Sequence, residues 1–256
     1  MIFTIDIGNT NITIGVFDKD EIVFTARLAT ERNRTPDQYA IEFTNILSLH
    51  KISAEEVDGS IISSVVPELT NTIKQAVSPI CSRCIVLGPG VKTGLDIAID
   101  NPAQLGADLA AGAVGVIANY PLPSFVVDLG TASKIYYVSD KKEFCGGLIA
   151  PGINISLEAL TGTSSQLPTI ALNAPSRACA RNTVECMQSG IILGTASMID
   201  GMIGRFIEEV GEPASIVATG GLSAFIIKEC KYDMIYDNDL ILKGLKAIYE
   251  KNVKTK

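Results

Sequence analysis

The sequence predicts an α/β or mixed α+β protein built from two similar lobes. Three observations carry this expectation. Short alternating apolar segments form one strand meander near the N-terminus and a second beginning near residue 124. Helical stretches follow each meander. The first strand of each meander ends in an acid, a glycine and a hydroxyl, as Asp6-Ile7-Gly8-Asn9-Thr10 and Asp128-Leu129-Gly130-Thr131-Ala132. A repeat about half a chain apart reads as a duplication.

The elements follow in order. Ile2 to Ile7, Asn11 to Phe17 and Ile22 to Leu28 alternate and read as strands joined by short connections, an antiparallel meander. Thr35 to Leu49 reads as a helix, with Thr35 as N-cap and Pro36 in the first position. Gly59 to Val66 is apolar on both faces and reads as a buried strand, then Pro67 to Val77 as a helix and Cys84 to Leu87 as a short strand. Pro102 to Ala118 is Ala- and Gly-rich and reads as one helix. The pattern then restarts with strands at Ser124 to Asp128, Lys134 to Val138 and Glu143 to Ile149. A helix from Ile153 to Leu160 and a long one from Asn182 to Val210 come next. Ser215 to Ala218 is a strand running into Thr219-Gly220-Gly221 and a helix, and Asp239 to Tyr249 closes the fold. The lobes are expected to divide at residue 118, as 1–118 and 119–256, and the polar tail Lys251–Lys256 to fray.

Composition narrows the function classes. Of 256 residues, 47% are hydrophobic and 19% charged, which excludes a disordered chain and allows a large core. The net charge of −7 argues against nucleic acid as the main partner, because counterion release needs clustered cations. No run of 18 consecutive apolar residues suggests a membrane span, and Met1-Ile2-Phe3-Thr4-Ile5-Asp6 lacks the basic start of a signal peptide, so a cytoplasmic location is expected. Cys81 and Cys84 make a single CxxC, weak evidence for zinc, and the six cysteines read as free thiols of a reducing compartment. The one histidine, His50, follows the predicted helix that ends at Leu49, which suits a helix-end role better than a catalytic one.

Three segments carry chemistry. In Asp6-Ile7-Gly8-Asn9-Thr10-Asn11, a strand ends at an acid, a glycine permits a tight turn, and side-chain donors follow, with Ile12 and Thr13 opening the next strand. Such a loop can hold phosphate oxygens while Asp6 holds a hydrated Mg²⁺; an ordinary hairpin turn has the same residue types. Asp128-Leu129-Gly130-Thr131 repeats the pattern, and two such loops facing one another could clamp a triphosphate. Ala218-Thr219-Gly220-Gly221, after an apolar strand, lets backbone lie flat against an adenine or ribose, or merely turns the chain. The long helix carries an apolar stripe of Val184, Met187, Ile191, Met198, Met202 and Ile203, with Gly190 and Gly194 on one face. It reads as a core helix or as one shared with a second subunit.

The order of two phosphate loops and an adenosine loop resembles the acetate kinase, sugar kinase, Hsp70 and actin superfamily, with its two ribonuclease H-like lobes. Within it, Asp6–Asn11, Ser63-Ser64-Val65-Val66-Pro67, Asp100-Asn101-Pro102, Gly106-Ala107-Asp108, Asp128–Ala132, Gly146-Gly147 with Pro151-Gly152, Asn182-Thr183-Val184, Gln188-Ser189-Gly190 and Ala218–Leu222 resemble type III pantothenate kinases. The resemblance spans nearly the whole chain. It implies a cytoplasmic homodimer that phosphorylates pantothenate with ATP and Mg²⁺, the first step toward coenzyme A, and uses a monovalent cation, K⁺ or NH₄⁺. By motif position it implies Asp108 as general base, Asp6 at Mg²⁺ and Asp128 at the monovalent cation. Thr131, Gly220 and Gly221 would touch ATP, and Thr183 would reach pantothenate across the dimer interface.

The chain departs from that pattern twice. Where the family has Gly-Ala-Asp-Arg this chain has Gly106-Ala107-Asp108-Leu109, and where the family often has tyrosine before Asp-Asn-Pro it has Ile99. A leucine cannot pair with the pantothenate carboxylate. Arg177 and Arg181, which flank Thr183, are candidates to replace the missing arginine. Three readings stand: a pantothenate kinase with an altered carboxylate contact, a kinase of the same fold for an alcohol without a carboxylate, and a non-catalytic regulator on this fold. Retention of Asp6, Asp108, Asp128 and Thr131 counts against the last.

Overall fold

A computed structural model describes residues 1–253 and divides the chain into two compact units. The first contains Met1–Leu95, Asp100–Asn119 and the C-terminal segment from Asp239; the second contains Asp96–Ile99 and Tyr120–Asn238. The division differs from the one expected at residue 118 in three places: Asn119 and the C-terminal helix belong to the first unit, and Asp96–Ile99 to the second.

In the first unit, β1 (Ile2–Ile7) pairs antiparallel with β2 (Asn11–Asp18), and β2 with β3 (Glu21–Ala29). Strand β4 (Gly59–Ser64) lies parallel to β1 and β5 (Cys84–Val86) parallel to β4, giving the order β3-β2-β1-β4-β5. Side-chain alternation splits this sheet into two different faces. Phe3, Ile5, Ile7, Ile12, Ile14, Val16 and Ile62 pack under α1 (Pro36–Leu49) and α2 (Pro67–Val77), through Tyr39, Phe43, Leu47, Leu69 and Ile73. Helix α1 starts as expected, with a capping box between Thr35 and Gln38. It ends at His50, whose ring stacks on Phe24 with centroids 3.9 Å apart.

The opposite face carries Thr4, Asp6, Thr13, Gly15, Ile61 and Ser63, and is covered by α3 (Ala107–Asn119) and the closing helix α8 (Leu240–Val253). These two helices approach each other through glycine. A methyl on Gly244 would fall on the carbonyl oxygen of Ala111, and one on Gly115 on the carbonyl of Leu240. Gly59 and Gly15 similarly make room for Tyr249 and Leu242 of α8. Helix α8 runs past the expected end at Tyr249, so Lys251 to Val253 are helical; the rest of the tail lies outside the described residues.

The second unit repeats the plan. Strand β7 (Ser124–Leu129) pairs antiparallel with β8 (Ala132–Val138), and β8 with β9 (Glu143–Pro151). Strand β10 (Ser215–Thr219) lies parallel to β7, and β11 (Ile235–Tyr236) parallel to β10. Reading β9-β8-β7-β10-β11 beside β3-β2-β1-β4-β5 shows one topology used twice, with β6 (Asp96–Ile97) added at the outer edge of the second sheet. The two short strands β6 and β11 were not evident in the sequence, since two residues show no periodicity. Phe125, Val127, Leu129, Ile135 and Ala218 pack under α4 (Ile153–Thr163), the long helix and α7 (Ser223–Ile226), through Ile153, Ile192, Ile199, Ile203 and Ile226.

The long helix is continuous over Thr183–Val210 but not uniform. It runs as α5 (Thr183–Gln188), a π-helical turn at Ser189–Leu193 and α6 (Gly194–Val210). By length and composition this one helix could cross a membrane, although polar residues break it into short apolar runs. Only 28% of its most apolar 18-residue window is buried within the chain. A Cβ added to Gly190 or Gly194 would meet no atom of the described residues within 4 Å.

The glycine contacts between α3 and α8 give a direct test. Gly244→Ala should lower stability by about 1–3 kcal/mol, the usual cost of overpacking, read as a lower urea midpoint by circular dichroism.

Candidate active site

The candidate residues divide between the units, and each set is built by its own sheet. In the first unit Asp6 is the last inward-alternating residue of β1 on the face covered by α3 and α8. Its neighbours in register are Thr13 on β2 and Ser63 on β4, so a half-buried carboxylate lies between two hydroxyl residues on one face. The Ser63 hydroxyl is buried and has no hydrogen-bond partner among the described residues. A carboxylate flanked by hydroxyls is the hard oxygen environment that Mg²⁺ prefers, and the residues fit that ion.

The loop after β1 is held by its own backbone. The Gly8 amide donates to the Asn11 carbonyl at 3.0 Å, where a Cβ on Gly8 would also press, at 3.0 Å. From the end of β3, Thr30 Oγ1 donates to the Gly8 carbonyl at 2.7 Å, and the Thr30 amide to the Thr10 carbonyl at 3.0 Å. Asn9, Thr10 and Asn11 are thereby fixed yet exposed. Arg32 adds a contact that sequence reasoning missed. It donates to Asn9 Oδ1 at 3.3 Å and pairs with Glu68 at 3.2 Å. Only the hairpin register, which sets Ala29 opposite Asn11, brings this arginine to the loop.

Asp108 owes its position to a break in the chain. The sequence reads as one helix from Pro102, but the structure has a 3₁₀ turn at Pro102–Gln104 capped by Asn101, an extended Leu105, and α3 only from Ala107. The extended Leu105 and the helix-poor Gly106 interrupt the hydrogen-bond ladder there. Asp108 therefore lies in the first turn of α3, where free amides and the helix dipole favour a negative charge. Gly106 makes room for it: a Cβ there would sit 2.5 Å from Asp108 Oδ1. Leu109 follows, half-buried.

In the second unit Asp128, the penultimate residue of β7, stands next to Thr219 on β10, and both are buried. Gly130 and Thr131 are exposed at the turn into β8. Two glycines lock this turn to its neighbours. Gly220 has φ +96°, and a Cβ there would lie 2.5 Å from the Leu129 carbonyl oxygen. A methyl on Gly152 would fall on the Thr131 carbonyl. Gly221 is exposed beside Gly220, and the Ser223 hydroxyl donates to the Thr219 carbonyl. Ile99 follows β6, tied in by the Ala98 amide donating to the Phe144 carbonyl at 2.9 Å, and so belongs to this unit and not to that of Asp108. Thr183 is exposed at the start of α5, behind the N-cap Asn182, and Arg177 and Arg181 are exposed nearby in the chain.

Asp128 has a cation of its own chain beside it. Lys134 stands directly opposite it on β8, and Lys134 Nζ lies 2.8 Å from Asp128 Oδ2 with both side chains largely buried, at 16% and 9% exposure. A second monovalent cation on this carboxylate would stand close to the ammonium. Two unit charges about 4 Å apart repel by about 4 kcal/mol at an effective dielectric of 20. The residues present do not fit an external cation here.

The cysteines form no such centre. Among the described residues no three His, Cys, Asp or Glu side chains gather as metal ligands. Burial pushes the Cys81 and Cys84 thiols up, and that of Cys230 to about 12.

Comparison with known proteins settles the family. The model for type III pantothenate kinase matches residues 2–205. The chain belongs to the type III pantothenate kinase family. A type III pantothenate kinase from an Exiguobacterium strain is 42% identical to this kinase over 255 residues, covering 99% of this chain and 100% of that one. One from Brevibacillus brevis is 40% identical over 253 residues, covering 98% and 99%. Among solved structures, a Campylobacter jejuni protein provisionally named a Baf family transcriptional activator aligns with TM-score 0.63 at 23% identity, over 98% of this kinase and 99% of that chain. That likeness supports the fold: two ribonuclease H-like lobes, as the duplicated topology of the kinase also has.

The adenosine-loop expectation is testable at Gly220. Gly220→Ala in this kinase should cost about 1–3 kcal/mol of stability and weaken binding of a fluorescent ATP analogue by about tenfold or more, since the side chain meets both a forbidden φ and the Leu129 backbone.

Proposed function

We propose that this kinase transfers the γ-phosphoryl group of ATP to the hydroxyl of pantothenate, giving 4'-phosphopantothenate. The observation that carries the mechanism is the placement of Asp108 in the first turn of α3, by the break at Leu105-Gly106. Phosphoryl transfer asks a protein to position the reactants and neutralise charge more than to make covalent bonds. The hydroxyl oxygen attacks the γ-phosphorus, the bond to the β–γ bridging oxygen breaks, and ADP leaves. Asp108 accepts the hydroxyl proton as the new bond forms.

The other residues hold the reactants. The fixed Gly8-Asn9-Thr10-Asn11 loop offers donors to phosphate, with Arg32 beside it. Asp6 would hold Mg²⁺, with Thr13 and Ser63 beside it. Bound there, the ion would neutralise phosphate charge. Thr131, Gly220 and Gly221 would contact ATP, and Thr183 pantothenate. We further read the kinase as a cytoplasmic homodimer. Its long helix leaves Val184 and Val210 exposed, at 42% and 43%, and a second copy seated on it would cover them. The six cysteines are free, as in a reducing compartment.

Leu109 and Ile99 favour a second reading, in which the acceptor is an alcohol without a carboxylate. A coupled assay of ADP release with purified kinase, ATP and Mg²⁺ decides between them. Turnover with pantothenate supports the first reading, and turnover only with uncharged alcohols the second.

Two substitutions test the assignments. Asp108→Asn should lower kcat by about 100-fold or more while leaving ATP affinity within about twofold, the signature of a lost general base. Leu109→Arg should lower the KM for pantothenate by about tenfold if a carboxylate contact is what this chain lacks.

A further inference from the structure

The family resemblance attaches a monovalent cation to Asp128, and the structure has a covalently attached one in reach of it. We propose that the Lys134 ammonium is a built-in monovalent cation, so that this kinase works without added K⁺ or NH₄⁺ at Asp128. The proposal rests on the kinase reading above, because cation dependence is read through turnover and nucleotide binding.

Three observations carry it. Lys134 and Asp128 are directly opposed in the antiparallel β7–β8 pair, so the strand register fixes their meeting. The ammonium is 2.8 Å from Asp128 Oδ2, hydrogen-bond distance for a charge-assisted contact. Both side chains are largely buried, at the same sheet end as the exposed Gly130-Thr131 turn. A buried ion pair is held by geometry and is screened little by salt.

The chemistry matches what a bound ammonium ion would provide. Lysine ends in a tetrahedral –NH₃⁺ of unit charge with three donors and no acceptor. Tethered by the strand, it needs no cation taken from solution and pays no association entropy. At least one of these donors meets Asp128 Oδ2. The cost is exchange: an ammonium on a strand cannot leave, so the site cannot respond to changes in K⁺.

The test is a salt series at constant ionic strength, comparing choline, Na⁺, K⁺ and NH₄⁺ chlorides with Mg·ATP and pantothenate. The unmodified kinase should turn over at rates within about threefold across the series. Stimulation by K⁺ or NH₄⁺ above threefold overturns the proposal. Lys134→Thr, small and suited to a strand, should lose about tenfold or more of its rate in choline and regain it in K⁺ or NH₄⁺. Loss without rescue by either ion overturns it too, since it would make Lys134 a phosphate ligand or a structural residue only. If Lys134→Thr does not fold, the series on the unmodified kinase still decides.

A second readout needs no turnover. With Mg²⁺ and a non-hydrolysable ATP analogue, the thermal midpoint of the unmodified kinase should be the same in K⁺ as in choline, while that of Lys134→Thr should rise in K⁺. A K⁺-specific rise in the unmodified kinase overturns the proposal. Absence of pantothenate turnover in every salt would overturn the acceptor assignment alone, leaving this thermal comparison to decide the cation.

Discussion

The candidate site depends on one constraint, met twice: a central strand must bury one face in a hydrophobic core and carry a carboxylate on the other. In β1, Ile5 and Ile7 enter the core beneath α1 and α2 while Asp6 between them faces α3 and α8. In β7, Val127 and Leu129 enter the second core while Asp128 faces the other way, toward Lys134. The period of two makes this unavoidable once the register is set. A slip by one residue would bury each carboxylate among isoleucines and valines, at a desolvation cost no neighbour offsets. The same parallel pairing that fixes the register, β1 with β4 and β7 with β10, gathers loops at the carboxyl ends of the strands, where α/β sheets hold ligands.

What surrounds each carboxylate then sets its chemistry. Asp6 is flanked by hydroxyls and suits a hard divalent ion. Asp128 faces an ammonium and has its charge balanced from within the chain. Asp108 stands in the first turn of a helix, at the positive end of its dipole. Three aspartates of one chain thus suit three tasks through their neighbours and not through any difference in the side chain.

Much of the fold was legible in the sequence. The first meander, the capped helix at Thr35, the restart near Ser124 and the duplicated acid-glycine-hydroxyl turns are local patterns, and local sterics and alternation decide them. The elements that were not legible are those whose stabilising contacts are distant. Strands β6 and β11 hold two residues each and exist because a longer strand offers its edge. The break before α3 lies in a segment whose composition favours one helix, and the π-helical turn lies inside a helix whose sequence gives no sign of it.

By itself the sequence determined which residue types stand at each turn: the carboxylates, the glycines, the hydroxyls, and the leucine where the family has arginine. Adjacent residues and short-range periodicity are sufficient for that. Tertiary structure alone decided their partners. It packed α8 with the first unit, through glycines that let Ala111 and Leu240 carbonyls approach the opposite helix. It carried Arg32 to Asn9 from the far end of β3. It set Lys134 on Asp128, six residues on in the chain but opposite in the sheet. Strand pairing brings such groups together, and the free energy that selects the pairing comes from burying both cores, which no local stretch of sequence contains.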